Sequence, residues 1–183
     1  MTLTHMMPSL RRSIPDPIST DLWPEHTTAT TTDVSVAGVS MLRLAEICQT
    51  PCIHTAAAVI PGTHGRPSVT DRASAIVTAV TAISLSPTGT LWVRVDARLD
   101  DVRPILSEAR LIGRASVAHG ISAALVLREL ADEEPGVVEI LASGLPADLV
   151  PGDLLVVPCR GDLALRNVRP RASYLERRAM VSR

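Results

Sequence analysis

Glu133 and Glu134 stand side by side in a turn ahead of Pro135-Gly136. A carboxyl group facing a pocket, with its pKa raised, can act as an acid or a base. These two are therefore candidate catalytic groups, with ordinary exposed turn carboxylates as the bland alternative. A second charged group, Arg94, Asp96, Arg98, Asp100, Asp101 and Arg103, ends one strand and follows it. On a solvated rim such residues form ion pairs of small worth. At the mouth of a barrel they would orient a substrate, with Asp101 as a catalytic candidate and Trp92, Arg94 and Arg98 as binding candidates. Cys48, Cys52 and His54 form a C-x3-C-x-H cluster. That spacing fits no standard zinc module and has no evident fourth ligand, so core cysteines are expected and no metal. His119 precedes Gly120 in a turn and reads as a surface residue.

All eighteen basic residues are arginine, and there is no lysine. A cofactor held as a Schiff base on a lysine amine is thereby excluded. The net charge of −1 provides no field to recruit nucleic acid or an anionic membrane. No apolar run is long enough to span a bilayer. Arg11-Arg12 is followed by no hydrophobic stretch, so a cytoplasmic location is expected. There is no glycine-rich phosphate loop, nucleophile elbow or basic–aromatic platform.

The elements that must position these residues are mostly strands. The chain has 183 residues, 46% of them hydrophobic, with no Phe and two Trp. Its core must therefore come from Val, Leu, Ile and Ala, which suits strands. Residues 1–33 are rich in Pro and Thr and read as a flexible tail, or as a lid docked through Met6, Met7, Leu10 and Trp23. Residues 34–171 form a β domain, and 172–183 a C-terminal tail. Val34, Val36 and Val39 around Gly38 predict a short strand or hairpin. The spacing in 41–48 predicts a helix that Pro51 stops. An apolar run at 52–60 leads into a turn-rich connector at 61–72. Strands are expected at 75–85, 91–95, 109–114, 121–131, 136–142 and 153–158, with a hairpin turn at Ser86–Gly89. The composition of 121–131 also suits a helix, but its place between turn signals favours a strand.

Three stretches resemble diaminopimelate decarboxylase, an enzyme that depends on pyridoxal phosphate. They are LWPEHTT with DVSVAGVSMLRLAEICQTPCIHTA in 22–56, TLWVRVDARLDDVRPILSEARLIGRAS at 90–116, and EEPGVVEILASGLPADLVPGDLLVVPCRG at 133–161. Their order and spacing are similar to the family's over most of 22–171. The resemblance implies the family's β domain with its (β/α)₈ barrel missing, since such a barrel takes about 250 residues. It also implies lost chemistry. The family's catalytic cysteine falls on Glu133, its aspartate on Val137, and the tyrosine of its Gly-Ala-Tyr loop on Leu163. Arg160 and Asp162, in that last loop, become substrate-binding candidates.

The expected fold is mostly β, a compact β-barrel or sandwich resembling the C-terminal domain of diaminopimelate decarboxylase, with one short helix and a flexible N-terminal tail. Two functions follow. One is a barrel that binds a small molecule without pyridoxal phosphate or any other cofactor, and promotes a cyclisation or isomerisation. The other is a catalytically dead partner, forming a homodimer or regulating a full-length decarboxylase.

Overall fold

The computed structural model describes residues 3–86, 89–129 and 137–169. The catalytic candidates Glu133 and Glu134 and the tail at 172–183 lie outside the described residues. The fold is mostly β. In chain order the regular elements are α1 (Leu3–Met6), β1 (Thr28–Ala29), β2 (Val34–Val36), β3 (Val39–Ser40), α2 (Met41–Cys48), β4 (Cys52–Val59), β5 (Pro67–Leu85), β6 (Leu91–Val95), β7 (Arg110–Ile112), β8 (Gly120–Glu129), β9 (Val137–Pro146), β10 (Leu154–Arg160) and α3 (Leu165–Val168).

A small sheet, β1-β2-β3, leads into α2. Ala37 and Gly38 turn β2 into β3 with φ of 48° and 82°. Positive φ at both central turn residues matches the right-handed twist of a tight hairpin. Ser40 then caps α2, accepting from the Arg43 N–H at 3.0 Å. Asp33 supports the cap, accepting from the Leu42 N–H at 3.0 Å and the Val34 N–H at 2.7 Å. Apolar residues of α2, with Met41 and Ala45 buried, face the second sheet.

That second sheet runs β7-β10-β5-β6-β8-β9, with β4 also paired to β5. Its backbone is β5, a single strand of 19 residues. The first part of β5 lies between β4 and β10, while the last part pairs with β6. One strand thus belongs to two half-sheets. Between them lies the main core, with Ile76, Val80, Val93, Leu125, Leu145, Leu155 and Val157 all at 2% exposure or less. The opposite face of the first half carries Ala75, Val77 and Val156, packed against Trp23, Val36 and Met41. Because side chains alternate across a strand, β5 and β10 must be apolar on both faces. This is why 154–159 reads as an apolar run and 73–80 as one interrupted only by Ser74 and Thr78.

The expected barrel does not close. The sheet path ends at β7 on one side and β9 on the other, and no ladder joins them among the described residues. A barrel needs every strand paired on both sides. Here β7 has only three residues and pairs with β10 alone. The N-terminal segment meets its end instead, where the Gly113 N–H donates to Thr32 O at 2.7 Å. β6 and β8 run parallel, joined through 96–119, which visits the other half-sheet on the way.

The segment read as a flexible tail or a docked lid lies against the body of the domain. Thr4, Pro8 and Trp23 are buried. Arg11 donates to Ala118 O at 2.8 Å and pairs with Asp16 at 3.1 Å. Arg110 donates to Asp16 O and Pro17 O. Composition could not reveal this, because the partners are 93 to 107 residues away. Among the described residues, no helix is long and apolar enough to cross a membrane.

Candidate functional site

Two clefts open beside this docked segment, which is referred to below as the strap. The larger, of about 610 Å³, is lined by Asp21, Leu22 and Trp23 of the strap, the ends of β4 and β5, Ile105, and Cys159 to Asp162. Ligand pockets run to roughly 300–1,000 Å³. Apolar residues (Trp23, Val59, Ala73, Ile105, Cys159) make its floor, and Asp71, Arg72, Arg160 and Asp162 stand exposed on its rim.

Local structure explains how those charges reach one rim. Between the pairs Ala57↔Arg72 and Val59↔Pro67, only Ala58 of β4 faces residues 68–71 of β5. The surplus on β5 is thrown outward as a wide bulge. Ser68 braces the bulge, its Oγ accepting from the Asp71 N–H at 3.0 Å. Asp71 and Arg72 are thereby placed on the rim. Across the cleft, Gly161 turns β10 away with φ of 92°, and its N–H donates to Arg72 O at 3.0 Å. Ser74 is fully buried and anchors this turn. Its Oγ donates to Gly161 O at 2.8 Å and accepts from the Leu163 N–H at 3.2 Å. Thr55 Oγ1 lies 2.8 Å from the same hydroxyl. Asp21 closes the strap side by accepting from the Gly62 N–H at 2.8 Å.

Of the residues singled out from the sequence, Arg160 and Asp162 thus meet at one cleft. The other candidates among the described residues do not line this cleft. Val93 on β6 points into the core, whereas Trp92 and Arg94 belong to the opposite face of the strand. Trp92 Nε1 and Ser84 Oγ, on directly paired residues, are buried without a hydrogen-bond partner among the described residues. Arg98 pairs with Asp100 at 2.8 Å and also with Asp101. These residues form an ion-paired turn. Asp96 is a brace. Its carboxylate accepts from Thr78 Oγ1 at 2.6 Å, the Ala79 N–H at 2.9 Å and Thr50 Oγ1 at 2.5 Å, tying the start of β4 to the end of β6.

Cys52 and Cys159 are buried, and Cys48 is exposed. Burial pushes the Cys52 thiol up to about 11, with Cys48 and Asp96 adding to the shift. Burial alone pushes Cys159 up to about 12. Both are held as thiols, so the Cys159 sulfur in the cleft floor is an apolar surface and no nucleophile at neutral pH. No group of His, Cys, Asp and Glu among the described residues has the arrangement of a metal site.

The smaller cleft, of about 230 Å³, also borders the strap. It is lined by strap residues Arg11, Asp16 and Pro17 and by Glu108, Arg110 and Arg114 from the body. Burial lowers the Arg110 pKa, while the nearby Glu108 and Asp16 oppose the shift. Reading the sequence missed Ser74, Glu108 and Arg110. Each takes its role from partners far along the chain, and no local motif marks them.

No protein-family model matches this sequence, and no curated protein matches it.

Proposed function

We propose that this chain is a small-molecule-binding β domain that works without pyridoxal phosphate, and that its ligand occupies the cleft between the strap and the β10 turn. The observation that carries this reading is the convergence of Arg72, Arg160, Asp71 and Asp162 on the rim of one cleft of about 610 Å³ with an apolar floor. An apolar body with a few charged or hydrogen-bonding groups is the kind of molecule that such a lining recognises. The space between the half-sheets is filled by side chains, so the barrel interior expected from sequence is not the site. The resemblance to the β domain of diaminopimelate decarboxylase rests on sequence motifs. It supports descent from a decarboxylase whose chemistry has been lost, because the chain has no lysine to hold the cofactor. Cyclisation or isomerisation is the reaction class that fits best. Such a cleft promotes it by holding one folded conformer of the ligand, with the rim carboxylates Asp71 and Asp162 beside it.

The test is a thermal-shift screen of apolar molecules bearing carboxylate or ammonium groups, with hits mapped by amide chemical shifts. Hits should perturb residues 71–73 and 160–163 and should lose affinity in Arg160→Ala. Hits that map to other surfaces, or a panel without hits, would overturn the reading.

A further inference from the structure

The two clefts are lined by strap residues on either side of Ser19 in the chain, the smaller also by Thr30, Thr31, Asp33 and Val34. The smaller is lined by strap residues up to Pro17 and by residues 107–111. The larger is lined by the strap from Asp21 onward and by Ile105. Between them the strap passes over Glu108, whose carboxylate accepts from Ser19 Oγ at 2.7 Å, the Ser19 N–H at 3.3 Å and Trp23 Nε1 at 2.9 Å. We propose that the clefts are two lobes of a single groove, and that residues 13–22 are a lid held across it by Glu108 and Arg110.

The way the lid is held supports this. Ser13, Ile14, Pro17, Ser19 and Thr20 are exposed. Only Ile18 and Leu22 of this stretch pack against the core. The remaining contacts are polar: Arg110 to Asp16 O and Pro17 O, Ser19 to Glu108, and Asp21 to the Gly62 N–H. A segment with few buried apolar contacts and a small set of polar ties opens locally at far lower cost than the sheet beneath it. Beyond the lid, Trp23 is only 1% exposed and anchors the chain to the core. It is the fixed end about which the lid would lift. Lifting would free Glu108 and Arg110 together, adding one anionic and one cationic group to the groove. The assignment of the groove to a ligand rests on the function proposed above, but the lid motion does not.

Hydrogen exchange on the ligand-free protein separates the two. Glu108→Ala removes the acceptor for Ser19 and Trp23, and Ser19→Ala, at an exposed position, removes one of its donors. Loss of hydrogen bonds to a charged group should speed exchange of amides 13–22 by about tenfold or more in Glu108→Ala, with a smaller increase in Ser19→Ala. Amides 74–78 and 155–157 should keep wild-type rates. Exchange of 13–22 in step with those strands, or unchanged in both variants, overturns the lid. In a Trp92→Phe background, acrylamide should quench Trp23 more strongly once Glu108 is replaced. Unchanged quenching with faster exchange would leave two separate clefts and overturn the single groove. A failed ligand screen would leave each of these results standing.

Discussion

Arg114 grips Asp153 with two parallel hydrogen bonds, Nε to Oδ1 at 2.7 Å and Nη2 to Oδ2 at 2.6 Å. The same guanidinium donates to Asp148 O at 2.7 Å and pairs with the Asp148 carboxylate at 3.2 Å. One side chain therefore joins the segment after β7 to both ends of the turn before β10. Burial pushes Asp153 upward, but the bonds from Arg114 and the Val150 N–H outweigh it and hold the carboxyl below its ordinary value of 3.8. Arg114 is raised in turn, chiefly by Asp153.

Replacing Asp153 with Asn should destabilise the fold by about 2 kcal/mol, the scale of hydrogen bonds to a charged group. Lysine at 114 should not rescue it, because it lacks the planar fork. The pH dependence has a definite sign. A carboxyl with a depressed folded pKa contributes stability above its unfolded value, and loses it as pH falls through the lower folded value. Between neutral pH and about 5 the gap between wild type and Asp153→Asn should be constant. Below pH 3.8 it should shrink. Urea midpoints of both proteins across that range check this, and a gap that widens on acidification would refute it.

Thiol labelling should be selective. Cys48 is exposed, while Cys52 and Cys159 are buried with raised pKa values. One thiol should react promptly with a chromogenic disulfide reagent at neutral pH, and three after denaturation. Prompt reaction of two or more in the folded protein would contradict the packing of β4 and β10.

Ser74→Ala should loosen the turn that carries the cleft rim. The lost hydroxyl serves Gly161 O, Leu163 N and Thr55. The expected cost is about 1–3 kcal/mol, because buried partners are left unsatisfied. Faster exchange at the Leu163 amide should accompany it. Unchanged exchange there would show that the backbone alone holds the turn.

Ser84→Ala should behave in the opposite way. Its buried hydroxyl has no partner among the described residues, so removing it deletes a desolvated polar atom and breaks none of the hydrogen bonds seen there. Its melting temperature should equal or exceed that of wild type. A clear drop would reveal a partner for the hydroxyl.

Much of the fold was legible in the residues themselves. The spacing of 41–48 predicted a helix, and Met41–Cys48 is one. Alternation at 91–95 and the turn signals around 121–131 predicted strands that became β6 and β8. These are local rules, set by side-chain period and by residues that favour turns. Arg160 and Asp162 became candidates through the resemblance, not through these rules, and they stand exposed on the rim of one cleft. Arg98 and Asp101, also offered as candidates, form an ion pair within one turn. For the strap, composition left open a flexible tail or a docked lid, and contacts of Arg110 and Glu108, far along the chain, hold it against the body.

By itself, the sequence determined the β character, the positions of most strands and the exclusion of Schiff-base chemistry, since each depends on residue type and near neighbours. Tertiary structure decided the rest. That β5 serves two half-sheets, that the barrel stays open, and that Ser19 meets Glu108 across 89 residues are outcomes of which surfaces bury together. Such pairings compare the whole chain with itself, and no short window contains them.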